Sequence, residues 1–260
     1  MDFQIAYVVA GLAVGFIVGL TGVGGGSLMT PILLWFGISP ASAVGTDLLY
    51  AAITKAGGIH VHHKNKNIDW RITKFLSLGS IPAAALTIWF LHEIRLDTDK
   101  LNGIIRTSLG YVLVITAVAI LFKQHIYRWA MRNDSWITRM SDVQQRNATI
   151  ITGIILGIVV TLTSIGAGVL GTVALFMLYP LLPTSKLIGT EIAHAVPLTL
   201  VAGMGHAGLG NVDWWLLLNL LIGSLPGIYI GSSMVNRVTD AWLRPALALM
   251  LILIGVRLVI

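Results

Sequence analysis

The chain has 260 residues, 56% of them hydrophobic and only 11% charged, and contains no cysteine. Soluble domains carry about 25% charged residues, so a water-soluble globular domain is excluded; the missing thiols exclude disulfide scaffolds, zinc–thiolate sites, iron–sulfur clusters and cysteine nucleophiles. In so apolar a chain, the excess of 17 Lys+Arg over 11 Asp+Glu reads as cytoplasmic-loop charge on a membrane protein rather than as nucleic-acid affinity.

Apolar runs long enough for a hydrocarbon core of roughly 30 Å recur along the chain. The first, residues 3–20, follows Met1-Asp2 with no Lys or Arg. It lacks the positive n-region of a secretory signal and is expected to remain as a mature helix. Apolar runs and Gly/Pro punctuation predict helices over 3–21, 27–36, 41–61, 72–92 and 102–123, then 147–164, 169–181, 185–207, 213–235 and 240–259. Two groups of five result. Residues 1–123 form a first repeat, 124–146 a basic cytoplasmic connector with Arg128, Arg132, Arg139 and Arg146, and 147–260 a second repeat.

The repeat itself is visible by self-comparison. A shift of 144 places Gly45-Thr46-Asp47 on Gly189-Thr190-Glu191, His62 on His206, Asp69-Trp70 on Asp213-Trp214, and Pro82 on Pro226. Upstream the shift is 142, with Leu20-Thr21 on Leu162-Thr163, Gly24 on Gly166, Gly26 on Gly168 and Thr30 on Thr172. The loop between helices three and four carries Lys64, Lys66, Arg71 and Lys74, whereas the matching loop at 206–218 carries no Lys or Arg. By the positive-inside rule equivalent loops then lie on opposite sides, so the second copy is expected to be inverted. The expected fold is therefore all-α: a polytopic membrane protein of about ten helical segments in two inverted five-segment repeats. Short Gly/Pro-broken helices at 27–36 and 169–181 are expected near the midplane, the place where transporters build their central sites.

A polar solute crossing lipid must exchange water for fixed partners. Uncapped helix N-termini offer N–H groups and a positive dipole end suited to an anion. Thr21, Gly24, Gly25, Gly26 and Ser27 before the second helix have this character, as do Thr163, Gly166 and Gly168, and Gly45-Thr46 with Gly189-Thr190 early in the third helices. These are the candidate substrate-binding residues; the alternative is that the glycines only let helices pack closely. Ionisable residues inside spans point to function. Asp47 and Glu191 occupy equivalent positions and are candidates for proton coupling or electrostatic tuning, or else cap a broken helix. His194 lies one turn after Glu191, and Lys55 two turns after Asp47 either meets the substrate or balances Asp47. His60, His62 and His63 resemble a metal cluster, but the second copy keeps only His206, so no metal and no other cofactor is expected. Trp70 and Trp214 suit interfacial anchoring. No catalytic triad, P-loop or dinucleotide fingerprint is present, so no enzyme is expected.

Gly22-Val23-Gly24-Gly25-Gly26 with Pro31, then Pro40-Ala41 and Gly45-Thr46, resemble the sulfite exporter TauE/SafE family of membrane permeases. Ser164-Ile165-Gly166-Ala167-Gly168 with Gly189-Thr190, Gly203–His206 and Asn211-Val212-Asp213-Trp214 echo the pattern in the second half. The resemblance covers nearly the whole chain. It implies outward secondary transport of sulfite, organosulfonates or related anions across the cytoplasmic (inner) cell membrane, in a multi-pass protein. Ala167 replaces one glycine of the run and Val173 stands where the first copy has Pro31, which implies an asymmetric centre. The expected function is a secondary anion exporter working by alternating access, with proton coupling open. An anion channel, an intramembrane enzyme and a non-transporting scaffold are the alternatives. The expected partners are a small anionic substrate and the lipid bilayer, with no nucleic acid; a homodimer is compatible with the chain, though nothing in it argues for one.

Overall fold

The computed structural model describes residues 2–21, 28–94, 97–130, 140–233 and 240–259. Within them the chain forms ten helices: α1 Asp2–Thr21, α2 Met29–Trp35, α3 Pro40–Lys64, α4 Trp70–Glu93, α5 Thr98–Ala130, α6 Asp142–Thr163, α7 Val169–Leu178, α8 Thr184–Gly208, α9 Trp214–Ser233 and α10 Asp240–Val259. All ten expected segments are present. Five of the described helices are long and apolar enough to cross a membrane: α4, α5, α6, α8 and α9. Large apolar side chains, among them Trp89, Phe90, Tyr111, Ile155, Leu225 and Leu253, lie exposed on the outer surface. Water would penalise such a surface and lipid does not. The chain is a multi-pass membrane protein.

The helix ends follow local chemistry. The Ser39 side chain accepts from the Ser42 N–H and Pro40 occupies the first turn of α3. Asp69 caps α4, accepting from the N–H groups of Arg71 and Ile72 at 3.1 and 3.3 Å. Asp213, its equivalent, accepts from Trp215 and Leu216 at 3.0 and 2.9 Å. Two boundaries differ from expectation. Helix α5 continues past residue 123 to Ala130, and α6 begins at Asp142 rather than 147, so both helices extend into the expected connector. The start of α6 is set by a reciprocal capping box between Ser141 and Gln144. Helix α7 stops at Leu178, short of the expected 181, because Pro180 follows and Tyr179 before it leaves the helical region at φ −132° and ψ 57°.

Packing follows one scheme used twice. Gly11 and Gly15 of α1 press on the backbone of Leu220 and Ser224 in α9, while Gly223 and Gly227 press on Val8 and Leu12. The positions rise together, so α1 and α9 run parallel. Gly153 and Gly157 of α6 meet Leu76 and Ser80 of α4 in the same way, and Gly79 meets Ile150. Under the shifts found in the sequence, these are the same contact with the copies exchanged. Between α3 and α8 the order reverses. Gly45 lies against His206 and Asn211, Gly203 against Leu49, Gly58 against Ile192, and Gly189 against His62 and Asn67, so these equivalent helices cross antiparallel. Helices α5 and α10 are antiparallel too, with Gly255 on Gly110 and the Arg106 Nε donating to the Leu258 carbonyl at 3.1 Å.

One apolar core gathers Leu48, Leu109, Leu113, Val160, Ile165, Leu198 and Leu251 around α3, α5, α6, α8 and α10. Two smaller cores repeat each other: Met29, Leu33, Tyr50, Leu216 and Leu220 on one side, and Ile72, Leu76, Leu175, Phe176 and Leu187 on the other. Between them, where α3 and α8 cross, the side chains turn polar.

Candidate functional site

Asp47 on α3 is 0% exposed. Its Oδ2 accepts from the Thr30 N–H at 3.1 Å and from the Thr30 hydroxyl. Helix α2 has no side-chain cap of its own at Leu28, so a carboxylate borrowed from α3 satisfies its first turn and pins the two helices together. The carboxylate also lies beside the Ser164 hydroxyl.

Ser164 belongs to the break between α6 and α7. It closes α6 in the left-handed region at φ 57°, with its N–H on the Val160 carbonyl at 2.7 Å. Gly166 and Gly168 follow at φ 121° and 153°, conformations that a Cβ would oppose. The Gly166 carbonyl accepts from the N–H groups of Gly168 and Gly171 at 2.8 and 2.9 Å. Thr163 braces the turn, its hydroxyl reaching the carbonyls of Val159 at 2.7 Å and Ile165 at 3.1 Å. Non-helical backbone at membrane depth is tolerated only when protein or a cavity surrounds it, and all of 164–168 is buried.

Lys55 reaches this turn from α3. It is 6% exposed, and its Nζ donates to the Ala167 carbonyl. Glu191 on α8, 2% exposed, lies against Gly171, where an added Cβ would meet its Oε1 at 2.9 Å; that oxygen has no hydrogen-bond partner. Both carboxylates attract the ammonium, Glu191 most strongly. Among the described residues neither forms a close ion pair with it. His194 is fully buried, with Nε2 2.8 Å from the Ser80 hydroxyl and Nδ1 unbonded. It forms no hydrogen bond with Glu191 among the described residues. Tyr50 and Ser224 occupy the equivalent positions, both buried and beside each other.

The other candidates sit between the halves. The Thr46 hydroxyl accepts from the Asp213 N–H at 3.1 Å, and the Thr190 hydroxyl accepts from the Asp69 N–H at 2.8 Å. Each threonine thus holds the opposite copy's loop. Gly45 and Gly189 lie against the backbone of Asn211 and Asn67, which is the close-packing role. Thr21 ends α1, while Gly24, Gly25, Gly26 and Ser27 lie outside the described residues. The structure therefore brings together Asp47, Lys55, Glu191 and the 164–168 turn, and puts Thr46 and Thr190 at the seams. Thr30 and the Ala167 carbonyl were not among the candidates. The repeat carried a signal for Thr30, since Thr172 matches it, but a backbone carbonyl leaves none.

Near the start of α4 a cavity of about 160 Å³ is lined by Asp69, Arg71, Gln145, Arg146 and Tyr179, among others. Lys186 bridges to Asp69 at 3.5 Å. At the equivalent place in the first copy Ser42 stands where the second has Lys186, so Asp213 has no matching lysine.

A buried charged centre inside a multi-pass helical fold, built where helices break, defines the class: a membrane transporter. A model of the sulfite exporter TauE/SafE family matches residues 7–258. The chain belongs to that family. It is 40% identical over 256 residues to the "Probable membrane transporter protein YjnA" of Bacillus subtilis, covering 98% of this chain and 100% of that one. It is 27% identical to the "Probable membrane transporter protein YdhB" of the same organism, over 90% of this chain and 91% of that one. With the "Probable membrane transporter protein MJ0441" of Methanocaldococcus jannaschii it shares 25% identity over 95% and 92% of the two chains. No solved structure matches.

Proposed function

We propose that the protein is a secondary transporter for a small anion of the sulfite or organosulfonate class, exporting it by alternating access between two inverted repeats. The observation that carries this reading is the centre itself: Asp47, Lys55, Glu191 and Ser164, all buried, with a carboxylate oxygen of Glu191 left without a hydrogen-bond partner. Unpaired polar groups in a dry interior cost stability, and a site that takes up and releases a polar solute is a reason to keep them. The antiparallel crossing of equivalent helices and the reciprocal Thr46–Asp213 and Thr190–Asp69 bonds support the inversion. A centre shared by two such halves is exposed to one side or the other as they rock. The family supplies the substrate class.

The test is flux in proteoliposomes. Purified protein is expected to move sulfite and short sulfonates faster than empty liposomes do, and to respond to a pH gradient. Asp47→Asn and Glu191→Gln are expected to alter that flux while leaving a monodisperse, folded protein. Wild-type flux from both variants would remove the coupling role of the carboxylates.

A further inference from the structure

A second polar feature lies at the other end of α7, and its role rests on the anion-export reading above. Eight residues, about 12 Å of helix, separate Gly171, which lies against Glu191, from Tyr179 at the wall of the cavity near the start of α4. Between the two levels Ile72, Leu76, Leu175, Phe176 and Leu187 form a buried apolar cluster, with Tyr179 and Leu182 packed against it. Cavity and centre are therefore separate compartments with an apolar plug between them. At roughly 30 Å³ per water, the 160 Å³ of the cavity accommodates an anion of four or five heavy atoms, such as sulfite or a short sulfonate.

Most polar groups around the cavity are already committed. Asp69 caps α4 through Oδ1 and meets Lys186 through Oδ2. The Gln145 Nε2 donates to the Leu178 carbonyl at 2.6 Å and fixes the end of α7 to α6. The Thr149 hydroxyl donates to the Gln145 carbonyl at 2.8 Å, so the Tyr179 hydroxyl is the donor in its 2.7 Å bond to Thr149. Asp142 stands in the first turn of α6, where the helix dipole favours a carboxylate. Two guanidiniums remain. Arg71 lies over the Phe75 ring at 5.8 Å, and neither it nor Arg146 has an ion pair or a side-chain hydrogen bond among the described residues. With Lys186 paired to Asp69, Arg71 and Arg146 face one carboxylate, Asp142, and a single negative charge completes the balance. A guanidinium offers a planar fork of donors that matches an oxyanion.

The feature belongs to one end of the molecule. In the repeat register Trp215 replaces Arg71, Gln4 replaces Arg146 and Ser42 replaces Lys186, and a cavity at the matching end is lined by Ile5, Val8, Val9 and Asn219. The basic end is the one that carries Lys64, Lys66 and Lys74, the cytoplasmic end by the positive-inside rule. A mouth of one charge sign concentrates counter-ions before they bind further in, and an exporter gathers its cargo from the cytoplasm. We propose that this cavity is the loading site of the exporter: Arg71 and Arg146 hold a small sulfur oxyanion at the cytoplasmic mouth, outside the apolar plug, ahead of its passage to the centre.

The experiment uses the full chain in inside-out and right-side-out membrane vesicles, with sulfite and ethanesulfonate as probes. Arg71→Gln/Arg146→Gln is expected to raise KM about tenfold for both probes in inside-out vesicles, with the maximal rate within about twofold of wild type. KM in right-side-out vesicles should stay at the wild-type value. Arg71→Lys/Arg146→Lys should recover part of the loss, and Lys64→Gln/Lys74→Gln, which removes the same charge outside the cavity, should leave KM unchanged. A phospholipid phosphate shares the oxyanion chemistry, so wild type and the double Gln variant are also compared in phosphatidylcholine liposomes with and without phosphatidylglycerol. The same KM difference in both lipids is expected; a difference confined to phosphatidylglycerol would assign the arginines to a headgroup and overturn the proposal. An unchanged KM in inside-out vesicles for the folded Arg71→Gln/Arg146→Gln variant, or an equal rise from Lys64→Gln/Lys74→Gln, overturns this inference and leaves the transport reading standing. If the double variant does not fold, the single variants Arg71→Gln and Arg146→Gln are read against the same criteria. No flux of either probe through the wild type overturns both.

Discussion

Replacing Gly189 by alanine tests the seam between the halves. At this position an added Cβ would meet the Asn67 carbonyl and, at 2.8 Å, the His62 Nδ1. The carbonyl belongs to a backbone that cannot rotate aside, so α8 must move. Overpacking of this kind costs about 1–3 kcal/mol, against a helix-propensity gain of about 1 kcal/mol for Gly to Ala. The net expectation is a loss of about 0–2 kcal/mol. Gly57 in α3 is the control, since an added Cβ there meets nothing within 4 Å, so Gly57→Ala keeps the propensity gain. The two variants should therefore melt about 5 °C apart, read from intrinsic tryptophan fluorescence in detergent at one scan rate, because unfolding of such proteins is commonly irreversible. A Gly189→Ala protein that melts at or above the Gly57→Ala protein would refute the close-packing argument.

Orientation is open to labelling because the chain contains no cysteine: Lys64→Cys and Gly208→Cys, at equivalent exposed ends of α3 and α8, should react with an impermeant maleimide from opposite sides of the membrane, and labelling from one side would contradict inversion. Asp69→Ala and Asp213→Ala should each lower stability by about 1 kcal/mol through loss of a helix cap, whereas Lys186→Gln should cost less than about 1 kcal/mol because its 3.5 Å bridge is partly exposed; a larger effect from Lys186→Gln in thermal melts would give the bridge a role beyond that of a surface pair. Thr30→Val removes one hydrogen bond to the buried Asp47 carboxylate and should destabilise by about 1–3 kcal/mol, with Thr30→Ser recovering most of it.

Much of the architecture was legible because the copies share residues that lipid does not select at random. Trp70 and Trp214, Pro82 and Pro226, and the two acids at 47 and 191 fix one register, and loop lysines present in only one copy suggest the reversal. The ends of α5 and α6 were not read, because residues 124–146 look polar and hydropathy ends where the membrane ends, while a helix does not. The Ser141/Gln144 box marked the start of α6 by a different physics. At the centre, sequence identified Asp47, Glu191, Lys55 and the broken turn as important, since charge in a span is costly wherever it points. It left open which reading each would take. Asp47 caps α2, 17 positions upstream, and Lys55 reaches a carbonyl 112 positions away, relations that no local pattern carries. Thr46 and Thr190 show the converse: a threonine in a helix reads the same whether it faces a solute or the other half's backbone.

The central claim, carriage of an anion by two halves that alternate around a shared centre, is tested most directly by counterflow. Proteoliposomes loaded with unlabelled sulfite are given a trace of labelled sulfite outside. A carrier predicts a transient accumulation of label above its equilibrium level, several-fold over unloaded vesicles. Label that rises only to equilibrium, whatever the internal load, would mark a channel and contradict the account.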